Sequence, residues 1–386
     1  MSIVYDVIII GGGIVGLTTA LGLAQQNFNV ALIDGGDLVV ITDKPDPRVY
    51  AINTTSQRLF YELGVWKLLP PTRMTPYKYM HIWDAINHVG IDFAAQLVAA
   101  NELGYIIEEN VIRAALLNVI ATHSNIKLYK QELITDIQDH NHMMQVANAD
   151  KTWQCKLLVI ADGAHSTCRQ ILKVPLTTWS YQQQAIITNV TTSKPHNNTA
   201  YQVFNPDGAL ALLPLNHVHE YSIVWSTTAK DLMFISIEAF NQRLQQSLST
   251  HVYNLTGAIN SHSQRYNFPL FMRNAQKYVG KNWLLVGDAA HTIHPLAGLG
   301  LNIGLADVTD FLLYLQSNQN KLLNQRQLEA YQRQRKSAVW QNILLMECLK
   351  LLFTNQNSGV QQLRKIGLKL CNLSELLKRF FINYAS

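Results

Sequence analysis

The sequence predicts an α/β fold carrying an α+β insertion: a doubly wound nucleotide-binding domain, a second domain built on a β-sheet, and a helical C-terminus. Three observations predict it. A strand, a glycine-rich turn and a helix open the chain, β-rich runs cluster between 182 and 236, and helical periodicity fills nearly everything after Leu299. At 386 residues, 48% apolar and 15% charged, the chain is long enough for two domains and unlike a disordered sequence.

The run 5–10 is apolar and β-branched, as a buried parallel strand requires, and it stops at Gly11. A helix over 14–26 and a strand over 29–34 complete a βαβ unit. Residues 57–63 read as helical, Pro70-Pro71 breaks the chain, and 80–97 alternates like strands of another sheet. A helical pattern over 109–121, strands around 126–129 and 144–147, and the buried run 156–160 return to the first domain. The runs 209–213 and 221–225 fit an antiparallel sheet walling a pocket, and 283–286 is a last buried strand. Residues 1–75, 105–180 and 275–350 are therefore expected to form a discontinuous nucleotide domain, 76–104 with 181–274 a substrate-binding sheet domain, and 351–386 a helical tail.

The net charge of +5 is spread thinly, with no run of five or six Lys/Arg, which argues against nucleic acid as a partner. The four cysteines (Cys155, Cys168, Cys348, Cys371) have no spacing for a zinc site or a disulfide framework, so a reducing, cytoplasmic compartment is expected. Met1 leads into a strand within four residues, leaving no room for a signal peptide. No stretch approaches the ~18 apolar residues of a membrane-spanning helix, so the chain should be soluble or peripheral, on the inner face of a membrane in the latter case.

Gly11, Gly13 and Gly16 form G-x-G-x-x-G between strand and helix, the Rossmann-like fingerprint. Gly11 permits the tight turn, Gly13 lets a pyrophosphate approach the backbone, and Gly16 allows close packing of helix on sheet. Ile14 and Val15 lie in the first turn, whose unpaired N–H groups and partial positive charge favour phosphate. Asp34, eighteen residues past Gly16, is placed to accept from ribose hydroxyls. In a second constellation, Gly287-Asp288 follows a strand, and Gly298, Gly300, Leu301 and Asn302 open a helix. Asp288 can accept from a polyol, and the helix N-terminus can stabilise a reduced flavin, which is anionic near N1 and C2=O. This favours FAD over NAD. Asp162-Gly163 ends a third buried strand.

With those three motifs in order, the chain resembles the group A FAD-dependent aromatic monooxygenases, the para-hydroxybenzoate hydroxylase-like proteins. Within them it most resembles the ubiquinone-biosynthesis hydroxylases acting on polyprenylated phenols, through the segments 46–52, 103–108, 206–215 and 287–307. The likeness runs from Met1 to about Arg335. It implies an enzyme in which NAD(P)H reduces FAD, O₂ adds at flavin C4a, and the hydroperoxide hydroxylates an electron-rich ring. It also implies that Arg48 lies near the flavin and that the Pro295 carbonyl faces the oxygen adduct; no catalytic acid or base follows. Other ubiquinone-biosynthesis proteins are the expected partners. Two positions depart from the pattern: Leu299 replaces the usual Gln, and Arg113 occupies a helix position where Gln is frequent. A reductase or epoxidase acting on another prenyl substrate, and a non-catalytic flavoprotein scaffold, are the alternatives.

His291 and His294 lack a third ligand at convincing spacing, so no metal is expected. In the tail, Leu363, Ile366, Leu370, Leu373, Leu377 and Phe380 recur at helical spacing among Arg364, Lys365, Lys369, Lys378 and Arg379. Two readings stand: an amphipathic helix packing on the core, which is favoured, or a basic amphipathic helix lying on an anionic membrane.

Overall fold

The structure, a computed structural model, describes residues 4–140, 142–261, 263–294 and 298–385. Its first sheet places Val4–Ile10 between Thr152–Ile160 and Val30–Ile33, with Trp283–Leu285 and Ile126–Tyr129 further out, all parallel. Both faces of such a sheet are covered, which is why Val7, Ile8 and Ile9 carry no exposed surface and why the run does not alternate. The helix Ile14–Gln25 packs against Glu109–Ile120 and Leu299–Ser317. A Cβ at Gly22 would stand 2.4 Å from Leu312, so this glycine sets how closely two of those helices approach.

Register decides where the motifs meet. Ile10 pairs with Ile160, and Ile160 with Leu285, so three adjacent parallel strands end level. The turns at Gly11, Asp162 and Gly287 thus leave side by side from the carboxyl edge, where ligands bind in open α/β sheets.

The second sheet runs in the order His291–Thr292, Tyr266–Ala275, Leu176–Thr192, Glu220–Thr227, Gly208–Pro214, Thr199–Asn205, Tyr79–Asp84, Val89–Ala94. It is antiparallel except where Thr199–Asn205 meets Tyr79–Asp84, the pairing that joins the two separate excursions into one sheet. Ile186, Leu210, Leu212, Ile223 and Trp225 face a core roofed by the helices Ile237–Ser247 and Thr250–Thr256. Their neighbours Ile187, Ala211, Leu213 and Val224 face a cavity instead. This is the period-2 alternation of a sheet with two distinct faces. A small sheet of Val49–Asn53, Gly104–Glu108 and Met74–Tyr77 closes one side.

The C-terminal region is helical, as expected: Gln325–Thr354, then Ser358–Leu373 and Glu375–Ala385. The favoured packing of its apolar stripe is corrected. The periodicity is broken at Ser374, which caps a new helix by accepting from the Leu377 N–H at 3.3 Å, and the stripe faces outward on both helices. Leu363, Leu370, Leu373 and Phe380 are 70%, 59%, 83% and 61% exposed, whereas Arg364, Leu368, Cys371 and Ile382 face inward. The reason is electrostatic. Arg364 donates from Nε to Asp84 at 2.6 Å, both side chains wholly buried, and also reaches the Leu352 and Phe353 carbonyls. A helix turns one face inward, and the buried ion pair fixes which. No described helix is long and apolar enough to cross a membrane.

Candidate active site

A cavity of about 620 Å³ lies between the carboxyl edge of the first sheet and the inner face of the second. Gly13, Ile14, Val15, Gly163, Gly287 and Asp288 border it on one side, Arg48 on another, and Gly298, Gly300 and Leu301 on a third. Sequence-distant motifs are thus brought to one chamber. Pro295 lies outside the described residues.

The glycines separate by what they accommodate. Gly11 adopts φ +113°, and a Cβ there would meet the Ala161 carbonyl oxygen at 2.3 Å. A Cβ on Gly16 would stand 2.0 Å from the Gly11 carbonyl oxygen. Both are demanded by the fold itself. Gly13 and Gly300 have no positive φ, and among the described residues no neighbouring atom lies within 4 Å of a Cβ at either. The described residues give no reason for glycine at either place, and the free space is the cavity. A diphosphate against the Gly13 backbone and a flat ring system against Gly300 would fill it, each beside a helix N-terminus.

Asp34 sits behind this wall and accepts from the Gly12 and Gly36 amides at 2.5 and 2.7 Å, which fixes the carboxylate at the end of its strand. Asp162 accepts from the Cys168 amide through Oδ2 at 3.0 Å, while its Oδ1 is buried with no hydrogen-bond partner. Asp288 projects into the cavity, where its carboxylate is accessible yet surrounded by protein. Burial there pushes its pKa above the ordinary value, with His291 and Arg48 opposing.

Asn302 acts through position. Its side chain donates to the Ala51 carbonyl at 2.8 Å and accepts from the Asn53 amide and the Ser56 hydroxyl, tying the turn at 298–302 to the strand Val49–Asn53. Arg48, at the foot of that strand, pairs with Glu109 at 2.9 Å, and Tyr50 donates to the same carboxylate at 3.2 Å. Leu299 packs against the main core and is absent from the cavity wall, so the departure there removes no polar group from the wall. Arg113 has a buried Nε with no hydrogen-bond partner.

Sequence reasoning missed the group that organises the Gly287 turn. Asp307, wholly buried, accepts from the Gly287 amide at 2.9 Å, from His291 Nε2 at 2.7 Å and from Arg335 Nε at 2.8 Å. Burial opposes its charge, yet His291 and Arg335 hold its carboxyl below the ordinary value. His291 is thereby engaged, and His294 contacts Gln183 at 3.2 Å. Among the described residues no group of three His, Cys, Asp or Glu is placed to hold a metal ion. Also missed were Glu109, Tyr50, His165 and Arg273, all of which line the cavity. The Arg273 guanidinium stacks on Phe271 at 4.8 Å. Glu109 directly follows the matched segment 103–108, a signal that could have found it.

A family model described as FAD binding domain matches residues 4–345. The 3-demethoxyubiquinol 3-hydroxylase of Escherichia coli (strain K12) is 31% identical over 98% of both chains. The chain belongs to the FAD-binding family of flavin-dependent monooxygenases. Another member, the mitochondrial ubiquinone biosynthesis monooxygenase COQ6 of Homo sapiens, is 28% identical over 99% of this chain and 92% of its own length. The fold matches the crystal structure of p-nitrophenol 4-monooxygenase PnpA from Pseudomonas putida DLL-E4, with a TM-score of 0.80, 16% identity, and 99% and 97% of the two chains covered. The chain is therefore an FAD-dependent monooxygenase with NAD(P)H as co-substrate, and the open space beside Gly13 and Gly300 suits that cofactor.

Proposed function

We propose that this monooxygenase hydroxylates the aromatic ring of a polyprenylated phenol in ubiquinone biosynthesis, using NAD(P)H and O₂. One observation carries the reading: a single chamber joins the glycine cradle at Gly13 and Gly300 to the apolar inner face of the second sheet. Bound FAD supplies the redox chemistry, taking electrons from the nicotinamide and activating O₂ for transfer of one oxygen atom to the ring.

The chain's own residues supply placement. The Gly13 backbone and the start of its helix would hold the diphosphate, and Asp34 and Asp288 would accept from hydroxyl groups. Asp307 keeps the Gly287 amide and His291 in place, while Arg48 and Glu109 hold each other at the cavity wall, where they would border the bound cofactor. Ile187, Ala211, Leu213 and Val224 exclude water and present a flat apolar wall to an aromatic ring. Tyr77 and Gln202 are polar groups on the substrate side. Burial pushes Tyr77 up to about 12, so it remains a neutral donor to a phenol oxygen. Arg273 and His165 are placed to meet the phosphates of a nicotinamide that visits without a domain of its own. In this proposal residues 1–75, 105–180 and 275–350 form the nucleotide domain, 76–104 with 181–274 the substrate sheet, and 351–386 the tail. The protein acts in the cytoplasm beside other ubiquinone-biosynthesis proteins.

The test is to purify the protein, record its flavin spectrum, and follow NADH and NADPH oxidation with a short-chain prenylated phenol under ¹⁸O₂. A product carrying one ¹⁸O on the ring is expected. Flavin reduction that no phenol accelerates would point to a scaffold, and a reduced or epoxidised side chain to the other rival activities; either outcome ends the proposal.

A further inference from the structure

Of the large hydrophobic side chains that stand exposed among the described residues, nearly half lie between Trp340 and Tyr384. They are not scattered there. On Ser358–Leu373, Leu363, Ile366, Leu370 and Leu373 recur at i, i+3, i+7 and i+10, along one face. The buried Arg364, Leu368 and Cys371 occupy the opposite face. On Glu375–Ala385, Leu376, Leu377, Phe380, Phe381 and Tyr384 are exposed, and Ile382 is the buried residue. Each helix therefore shows an apolar surface larger than a solvated helix retains without a partner.

The two helices are held firmly at their backs. Arg364 is pinned by Asp84, the Asp92 amide donates to Asn372 at 3.0 Å, and Asn53 donates to the Ala385 carbonyl at 2.9 Å. The outward faces are thus fixed relative to the body. Charge selects the occupant. Lys365, Lys369 and Arg379 are exposed alongside the apolar stripe, with Lys378 half-buried, and Glu375 is the one acid on these two helices. A two-fold dimer through this face would set like charges against like, whereas an anionic lipid surface offers both an apolar layer and the opposite charge.

We infer that the paired helices 358–373 and 375–385 form a docking surface for an anionic bilayer, their leucines and phenylalanines entering the acyl boundary and their basic side chains meeting the headgroups. The surface stands on its own observations, and its link to a lipid-tailed substrate rests on the function proposed above. Ser358–Leu373 packs on Val89–Ala94, the neighbour of the strand that gives Met80 to the cavity, so docking brings that cavity wall close to the lipid.

The experiment is co-sedimentation of the full-length flavoprotein with phosphatidylcholine vesicles, with and without phosphatidylglycerol, without any turnover. Binding to the phosphatidylglycerol vesicles is expected, at least tenfold stronger than to neutral ones and weakened by salt. The variant Leu370→Gln/Leu373→Gln/Phe380→Gln should stay in the supernatant, and Lys365→Gln/Lys369→Gln/Arg379→Gln should lose the preference for anionic lipid, both with wild-type flavin content and melting temperature. Wild-type protein that ignores both vesicle types would overturn the inference, as would variants that bind like wild type. So would a dimer on size-exclusion light scattering that the apolar variant converts to monomer without lipid binding. Since the readout needs no substrate, failure of lipid binding and failure of the hydroxylase reading are told apart.

Discussion

Gly13 and Gly16 share one motif but answer different demands. Among the described residues a methyl group on Gly13 meets no atom within 4 Å, while one on Gly16 stands 2.0 Å from a carbonyl oxygen. Gly13→Ala should therefore melt within a degree or two of wild type yet bind flavin at least tenfold more weakly, and Gly16→Ala should lose stability itself. Calorimetry and the flavin-to-protein absorbance ratio separate the two. His294 makes a prediction about acid. Burial, helped by the nearby Lys350 charge, lowers it from 6.5 to about 4, so the folded protein keeps it neutral where the unfolded chain would protonate it. Its neutral burial thus favours folding fully above pH 6.5 and progressively less as the pH falls to 4, by up to roughly 3 kcal/mol. Thermal melts of His294→Gln should be flatter than wild type across that window; equal slopes would refute the assignment. At this scale the sequence showed the glycines and acids of each motif. It hid Asp307, whose partners Gly287, His291 and Arg335 lie 20, 16 and 28 residues away and meet only through packing.

Elements whose burial follows from their own periodicity were legible. The runs around 5–10 and 283–286 became parallel strands because a doubly covered sheet requires unbroken apolar sequence, and the alternating 126–129 became the strand at the edge. The alternation near 209–213 and 221–225 became the two-faced sheet. What local pattern could not give was the rotation of the last two helices, since that depends on Asp84, 280 residues from Arg364. Removing one partner of a buried ion pair strands the other charge, so Asp84→Asn should cost roughly 3–5 kcal/mol locally. Limited proteolysis should then cut the segment between Thr354 and Ser358 far faster than in wild type, while the Asp84→Leu/Arg364→Leu double variant should recover much of the protection. Equal cleavage of wild type and Asp84→Asn would show that other contacts hold these helices.

For the whole molecule, neither sheet alone makes the site: one brings three glycine-bearing turns level at its edge, and the other supplies an apolar face opposite them. The sequence assigns both excursions to one sheet domain but cannot supply the pairing that joins them, because the parallel register of Thr199–Asn205 with Tyr79–Asp84 links segments more than a hundred residues apart. Among the described residues nothing partitions the chamber between Gly300 and Val224. Whatever occupies the glycine cradle accordingly becomes a wall of the space left for the aromatic guest, and protein stripped of its yellow colour would present an unfinished receptacle. Guest should then follow prosthetic group in a compulsory order: calorimetric titration of a prenylated phenol should register heat with the coloured protein and next to none with the stripped one.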